Sequence, residues 1–208
     1  MGTARARYSV AERLEQFGAA VEARLGPAFD STRLPYPPQE VALVAFKDSR
    51  MLEVYARHAG DAWRLVRTYP VLAASGEHGP KLKDGDRQVP EGVYAVESLN
   101  PNSRFHLSLR LNYPNDFDRR MARAEGRTDL GGDIMIHGGA SSIGCLAMGD
   151  EAAEDLFVLA ALVGTERVTA IISPTDFRRS SIEAATQPSW LPSLYEKLKG
   201  ELRAFPLE

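Results

Sequence analysis

GGDIMIHGGASSIGCLAMGD, residues 131–150, is the stretch on which the reading of this chain turns. It holds the only cysteine, Cys145, and one of four histidines, His137. The apolar run Ile134–Ile136 delivers His137 as the end of a buried strand, and Gly138-Gly139 supply the backbone freedom for a turn. Ser142-Ile143-Gly144-Cys145 forms a second tight element just before a helix. A strand of eight residues would span roughly 26 Å, so the segment must fold back if imidazole and thiol are to meet. A cysteine nucleophile with a histidine base is one reading, because an imidazole helps ionise a thiol and then returns the proton. A small buried hydrophobe is the other, because free cysteine usually behaves as one. Gly144 favours the first, since a glycine before a nucleophile opens backbone N–H groups toward an oxyanion.

Working outward, Asp150 to Gly164 reads as a helix, capped by Asp150, acidic in its first turn and ended by Gly164. RVTAIISP (167–174) reads as a strand and SWLPSLYEKLKGEL (189–202) as an amphipathic C-terminal helix, with a polar segment between them. Upstream, YPNDFDRRMARAEGRTDLGG (113–132) is a polar, basic excursion with one short helix at 116–124. VYAVESL (93–99) and RFHLSLRLNY (104–113) alternate as strands, joined by a turn at NPNS (100–103). VALVAFK (41–47), residues 51–57 and WRLVRTYPVLAA (63–74) predict an antiparallel meander. The loop SGEHGPKLKDGDRQVPEG (75–92) is long for a compact domain, a length often tied to function. Near the N-terminus, Val10, Leu14, Phe17, Val21 and Leu25 mark a helix over 9–25, capped by Ser9 and stopped at Gly26-Pro27. Residues 27–40, with four prolines, read as an extended connector. The expectation is an α+β, mostly β fold: a terminal helix and connector (1–40), a central unit (41–174) and a C-terminal extension (175–208).

Composition narrows the function classes. The chain has 208 residues, 44% hydrophobic and 25% charged, with a net charge of −3. Nothing in that balance calls for a nucleic-acid partner. One cysteine allows neither an internal disulfide nor a thiol-disulfide exchange pair, and scattered histidines make a metal site or cofactor unexpected. No apolar run is long enough for a membrane span. The first residues carry charge where a secretory leader needs an apolar region, so either export takes another route or a leader has been removed.

His137-Gly138 followed by Ser142-Ile143-Gly144-Cys145-Leu146-Ala147-Met148 resembles the active-site signature of the YkuD-type L,D-transpeptidases, most closely their YafK-like branch. Residues 75–96 resemble the family's G-P-K…G-D…P-E-G-x-Y segment, and 99–119 its strand leading to Y-P-N-x-x-D-R. The likeness covers about 41–174 and implies a YkuD-like, sandwich-like mixed sheet with a cleft. It implies Cys145 as nucleophile, His137 as base, and the Gly144 and Cys145 N–H groups as oxyanion donors. Gly138, Ser142, Lys81, Tyr113, Asn115 and Asp118 become candidate substrate-binding residues. The implied partner is a peptidoglycan stem peptide containing diaminopimelate, with an envelope lipoprotein as a further one, in the periplasm or cell envelope. Ile143 and Ala147 stand where the broader family has histidine and arginine, which leaves the acyl acceptor open between an amine and water. A catalytically silent cell-wall binding domain is the alternative from another class.

Overall fold

The computed structural model describes residues 7–183 and 188–207. Four helices, α1 (Val10–Thr32), α2 (Asp116–Ala124), α3 (Asp150–Val163) and α4 (Leu191–Leu202), accompany nine strands. These are β1 (Glu40–Phe46), β2 (Met51–Arg57), β3 (Arg64–Pro70), β4 (Ala73–Ala74), β5 (Gly92–Ser103), β6 (His106–Leu111), β7 (Met135–His137), β8 (Leu146–Ala147) and β9 (Val168–Ser173). They form one mixed sheet in the order β3-β2-β1-β9-β5-β6-β7-β8-β4. The expected α+β, mostly β architecture with helices at both ends is what the chain adopts.

Strand β1 shows why the centre of the sheet is so apolar. Val41, Leu43 and Ala45 face one core, while Ala42, Val44 and Phe46 face another. A strand covered on both sides loses the usual alternation and becomes a continuous hydrophobic run. Helices α1 and α3 cover the first face and α4 the second, where Leu194, Leu198 and Leu202 are buried. Helix α3 is apolar nearly all round because it lies between α1 and the sheet. Its one buried acid, Asp155, accepts from Arg24 Nε and from Tyr69 Oη, both at 2.7 Å.

Three local expectations are corrected. Ser9 does cap α1 through a capping box with Glu12, but the helix runs through Gly26-Pro27 to Thr32 and ends at Arg33, φ 57°. Leu25 and Phe29 are both buried, one turn apart, and their packing outweighs the lost proline N–H. NPNS lies inside β5, and the hairpin turns at Arg104-Phe105, with a register irregularity between Asn100 and Ser103 absorbing the mismatch. Gly149, not Asp150, occupies the N-cap of α3, and the Asp150 carboxylate is used elsewhere. The polar segment expected before α4 lies partly outside the described residues.

Candidate active site

Strands β7 and β8 are parallel neighbours, with Ile136 opposite Leu146 and His137 opposite Ala147. Residues 138–145 are therefore a tight crossover that brings the chain back beside itself, as the fold-back argument requires. Two bonds beyond the strands clamp it: Met148 N–H donates to His137 O at 2.8 Å and Gly149 N–H to Gly139 O at 2.9 Å. Extending the register by one pair sets Cys145 beside Met135. Cys145 and His137 then occupy the same face of adjacent strands, their Cα atoms about 8 Å apart from strand rise and spacing.

Ser142 organises the turn before the thiol. Its Oγ donates to Cys145 O at 2.6 Å and accepts from Cys145 N at 3.1 Å and Gly144 N at 3.3 Å. Ser75 N–H, from the long loop, reaches the same oxygen at 3.3 Å. Ser142 is thus the hydrogen-bonding hub of the turn before the thiol. The two N–H groups assigned to an oxyanion are also engaged by that hydroxyl. What Gly144 contributes here is conformation: its φ of 119° is one that side-chain-bearing residues rarely adopt.

His137 is 2% exposed. Its Nδ1 lies 2.6 Å from Gly138 O; a carbonyl only accepts, so Nδ1 carries the proton and Nε2 presents its lone pair. The Phe105 ring stacks on the imidazole with centroids 4.7 Å apart and planes 29° apart. Burial pushes the imidazole pKa down, partly offset by the Gly138 carbonyl, so the ring is held neutral. Gly138 serves this geometry by being small. A Cβ there would sit 2.6 Å from Asp150 Oδ1 and 2.7 Å from Phe105 O. The Asp150 carboxylate accepts from Gly139 N–H at 2.8 Å, tying the turn to the start of α3.

Cys145 is half-buried and lines a cleft of about 330 Å³ with Lys81, Asp84, Arg87, Asp133 and Ile143. Its Sγ donates to Asp133 O at 3.5 Å. Burial pushes the thiol pKa up, and the Asp133 charge adds to this; the Met135 N–H and the Lys81 ammonium oppose it. The resting pair is therefore neutral thiol and neutral imidazole, with no hydrogen bond between them. That arrangement suits general-base activation, with deprotonation coupled to attack, better than a preformed thiolate.

A larger cavity, about 760 Å³, lies across the 75–92 loop, between His78, Pro80 and Leu82 on one side and Leu191 and Tyr195 on the other. It holds neither the thiol nor the imidazole, so chemistry rather than size locates the site. Among the described residues, no three His, Cys, Asp or Glu side chains converge to hold a metal ion.

The other sequence candidates divide. Lys81 reaches the cleft, but its ammonium is committed to Asp86 Oδ1 at 2.5 Å and Lys83 O at 2.8 Å. Tyr113, Asn115 and Asp118 do not line the thiol cleft. Tyr113 is buried, its hydroxyl 3.2 Å from both Lys81 O and Leu130 O. Asn115 caps α2 with Asp118 in a capping box, and Asn115 Nδ2 donates to Val93 O at 2.9 Å. Burial raises the Asp118 carboxyl to about 6. Glu91 is buried beneath the loop, where Oε1 receives Lys47 Nζ at 3.0 Å and Gly79 N at 2.7 Å. Sequence reasoning passed over Phe105, Asp84, Arg87 and Asp133. For Phe105 the only signal was an aromatic at the edge of a turn.

A thiol in a charged cleft, set near a buried imidazole with a fixed tautomer, provides the parts of a cysteine acyl-transfer site. The YkuD family model, the L,D-transpeptidase catalytic domain, matches residues 40–172, and the chain belongs to that family. It is 37% identical over 139 residues to the Escherichia coli (strain K12) protein named "Putative L,D-transpeptidase YafK", covering 64% of this chain and 54% of that one. The same figures hold for the O157:H7 counterpart. This chain thus spans about half the length of the curated relatives it matches. The crystal structure of the helical cell shape determining protein Pgp2 from Campylobacter jejuni superposes with a TM-score of 0.51. The identity is 24%, over 70% of this chain and 50% of that chain, a likeness of fold alone.

Proposed function

We propose that this protein is a cysteine-dependent peptidoglycan L,D-transpeptidase. The observation that carries the reading is the neutral imidazole of His137, its Nε2 unbonded among the described residues, on the same sheet face as a cleft-lining thiol. In the proposed reaction Nε2 takes the Cys145 proton as Sγ attacks the carbonyl at the L-centre of diaminopimelate in a tetrapeptide stem. A C–S bond forms, the bond to the terminal D-alanine breaks, and the imidazolium returns the proton to the leaving amine. An amine from a second stem or an envelope lipoprotein then takes the acyl group and frees the thiol; with water as acceptor the same intermediate is hydrolysed. The Lys81 ammonium, held in its pair with Asp86, contributes only a background positive field at the thiol. The Gly144 and Cys145 N–H groups join only if they exchange their long bonds to Ser142 Oγ for bonds to the oxyanion. Such a substrate implies the periplasm or cell envelope, and helices α1 and α4 pack on the 41–174 unit that would do the chemistry.

The test is incubation of the protein and Cys145→Ala with tetrapeptide stems, with and without an acceptor amine, read by mass spectrometry. Free D-alanine together with a new amide, absent for the variant, supports the transferase. D-alanine or a cleaved diaminopimelate–lysine conjugate without a new amide moves the assignment to hydrolysis. Identical traces for both proteins overturn the catalytic reading.

A further inference from the structure

The charges around the thiol cleft are not all committed. Lys81 is paired with Asp86, and Asp133 with Arg110. The two charged side chains that remain, Asp84 and Arg87, have no side-chain hydrogen bond or ion pair among the described residues, and both are exposed on the cleft wall. They sit three residues apart on a turn that is built to hold them. Asp86 fixes it: Oδ2 accepts from Leu82 N at 2.9 Å and Lys83 N at 3.0 Å, and Oδ1 from Gln88 N at 3.1 Å. Arg87 itself has φ 55°, a left-handed conformation that side-chain-bearing residues rarely adopt. Such strain persists where surrounding bonds enforce it, and here it holds an uncommitted guanidinium beside the nucleophile.

One free cation and one free anion in a small cleft complement a ligand that carries both signs close together. We infer that Arg87 and Asp84 form a clamp for an amino-acid centre, Arg87 taking its carboxylate and Asp84 its ammonium. Resting on the function proposed above, the centre is the free D-centre of diaminopimelate, whose amine and carboxylate remain after the L-centre is acylated. The guanidinium fork suits a carboxylate in two-point contact, and an ammonium suits a single carboxylate oxygen. A cleft of about 330 Å³ has room for such a centre beside the thiol. The pair would thus set which side chain of the donor stem the enzyme accepts.

The test reads binding without turnover. Cys145 alkylation by iodoacetamide is followed with and without the tripeptide L-alanyl-γ-D-glutamyl-meso-diaminopimelate, which lacks the D-alanine leaving group. Two analogues are compared, one acetylated at the D-centre amine and one amidated at the D-centre carboxylate. For each protein, protection is taken relative to its own rate without peptide. The free tripeptide should protect the wild-type thiol, and each analogue should bind about 5–10-fold more weakly, as expected for partly solvated charge pairs. Asp84→Asn should lose discrimination against the acetylated analogue only, and Arg87→Ala against the amidated one only, with Arg87→Lys regaining part of it. Equal protection by all three peptides, no protection at all, or discrimination that survives both substitutions overturns the clamp. Protection with this pattern but no turnover of tetrapeptide would instead sink the proposed transferase and leave the clamp standing.

Discussion

Alkylation of Cys145 as a function of pH distinguishes a neutral resting pair from a thiolate–imidazolium pair. The ordinary thiol value of 9.0 corresponds at pH 7 to a thiolate fraction of about 1%. Burial and the Asp133 charge raise that value, so the fraction at pH 7 falls further. The imidazole shifts the other way, below 6.5, so it is unprotonated at pH 7 and offers no positive charge to a thiolate. The iodoacetamide rate should therefore climb about tenfold per pH unit from pH 6 to 8, with no plateau on the acid side. A stored ion pair would show a plateau through that range and react roughly 100-fold faster at pH 7. His137→Ala should leave the shape of the alkylation profile intact while lowering acyl transfer by about 10²–10⁴-fold, the usual loss for a general base. A plateau between pH 5 and 7 that disappears in His137→Ala would refute the neutral-pair argument.

Gly138→Ala places a Cβ 2.7 Å from the Phe105 carbonyl, which cannot swing aside as a side chain can. It should cost about 1–3 kcal/mol of stability in thermal melts and lower kcat more than it raises KM, by displacing His137. Lys47→Met strands the buried Glu91 carboxylate and should destabilise by about 3–5 kcal/mol in urea titrations, while Lys47→Met with Glu91→Leu recovers most of it. Equal stability of the single and double variants would show that the ion pair does not anchor the loop. Phe105→Ala uncovers one face of the imidazole, so the His137 pKa rises toward 6.5. The acid limb of the rate profile then moves to higher pH, and imidazole NMR titration reads the same shift directly.

The sheet was legible in the sequence where burial is one-sided or complete. The meander of β1 to β3 followed from short apolar runs between polar breaks, and the short helix read at 116–124 is α2. Errors arose where a local signal met a stronger tertiary one. Gly26-Pro27 is a proper stop signal, yet the core contacts of Leu25 and Phe29 carry α1 past it. NPNS has turn chemistry, but pairing with β6 extends the strand through it. Cys145 and His137 could be singled out because both lie in one short stretch with unmistakable glycines. Phe105 could not: its stacking on His137 joins the β5–β6 turn to the end of β7. The roles of Asp84 and Arg87 were equally hidden, because the sequence does not say which charges find partners.

The three separated motifs are physically one assembly. Tyr113 Oη holds the carbonyls of Lys81 and Leu130, and Arg127 Nη1 donates to Leu82 O at 2.8 Å. The segment after β6 therefore buttresses the 75–92 loop from one side, while the buried Lys47 bonds Gly79 O, Val89 O and Glu91 from beneath. That loop in turn sends Ser75 to the Ser142 hub and Lys81 to the thiol cleft. Tyr113 thus touches the loop that forms the cleft wall without lining the cleft itself, whereas Asn115 and Asp118 cap α2. A substitution such as Tyr113→Phe should then perturb Lys81 and the cleft wall more than the packing of α2, since it removes the hydroxyl at the loop and keeps the buried ring. Of the Y-P-N-x-x-D-R run, it is Tyr113 that braces the cleft wall from behind.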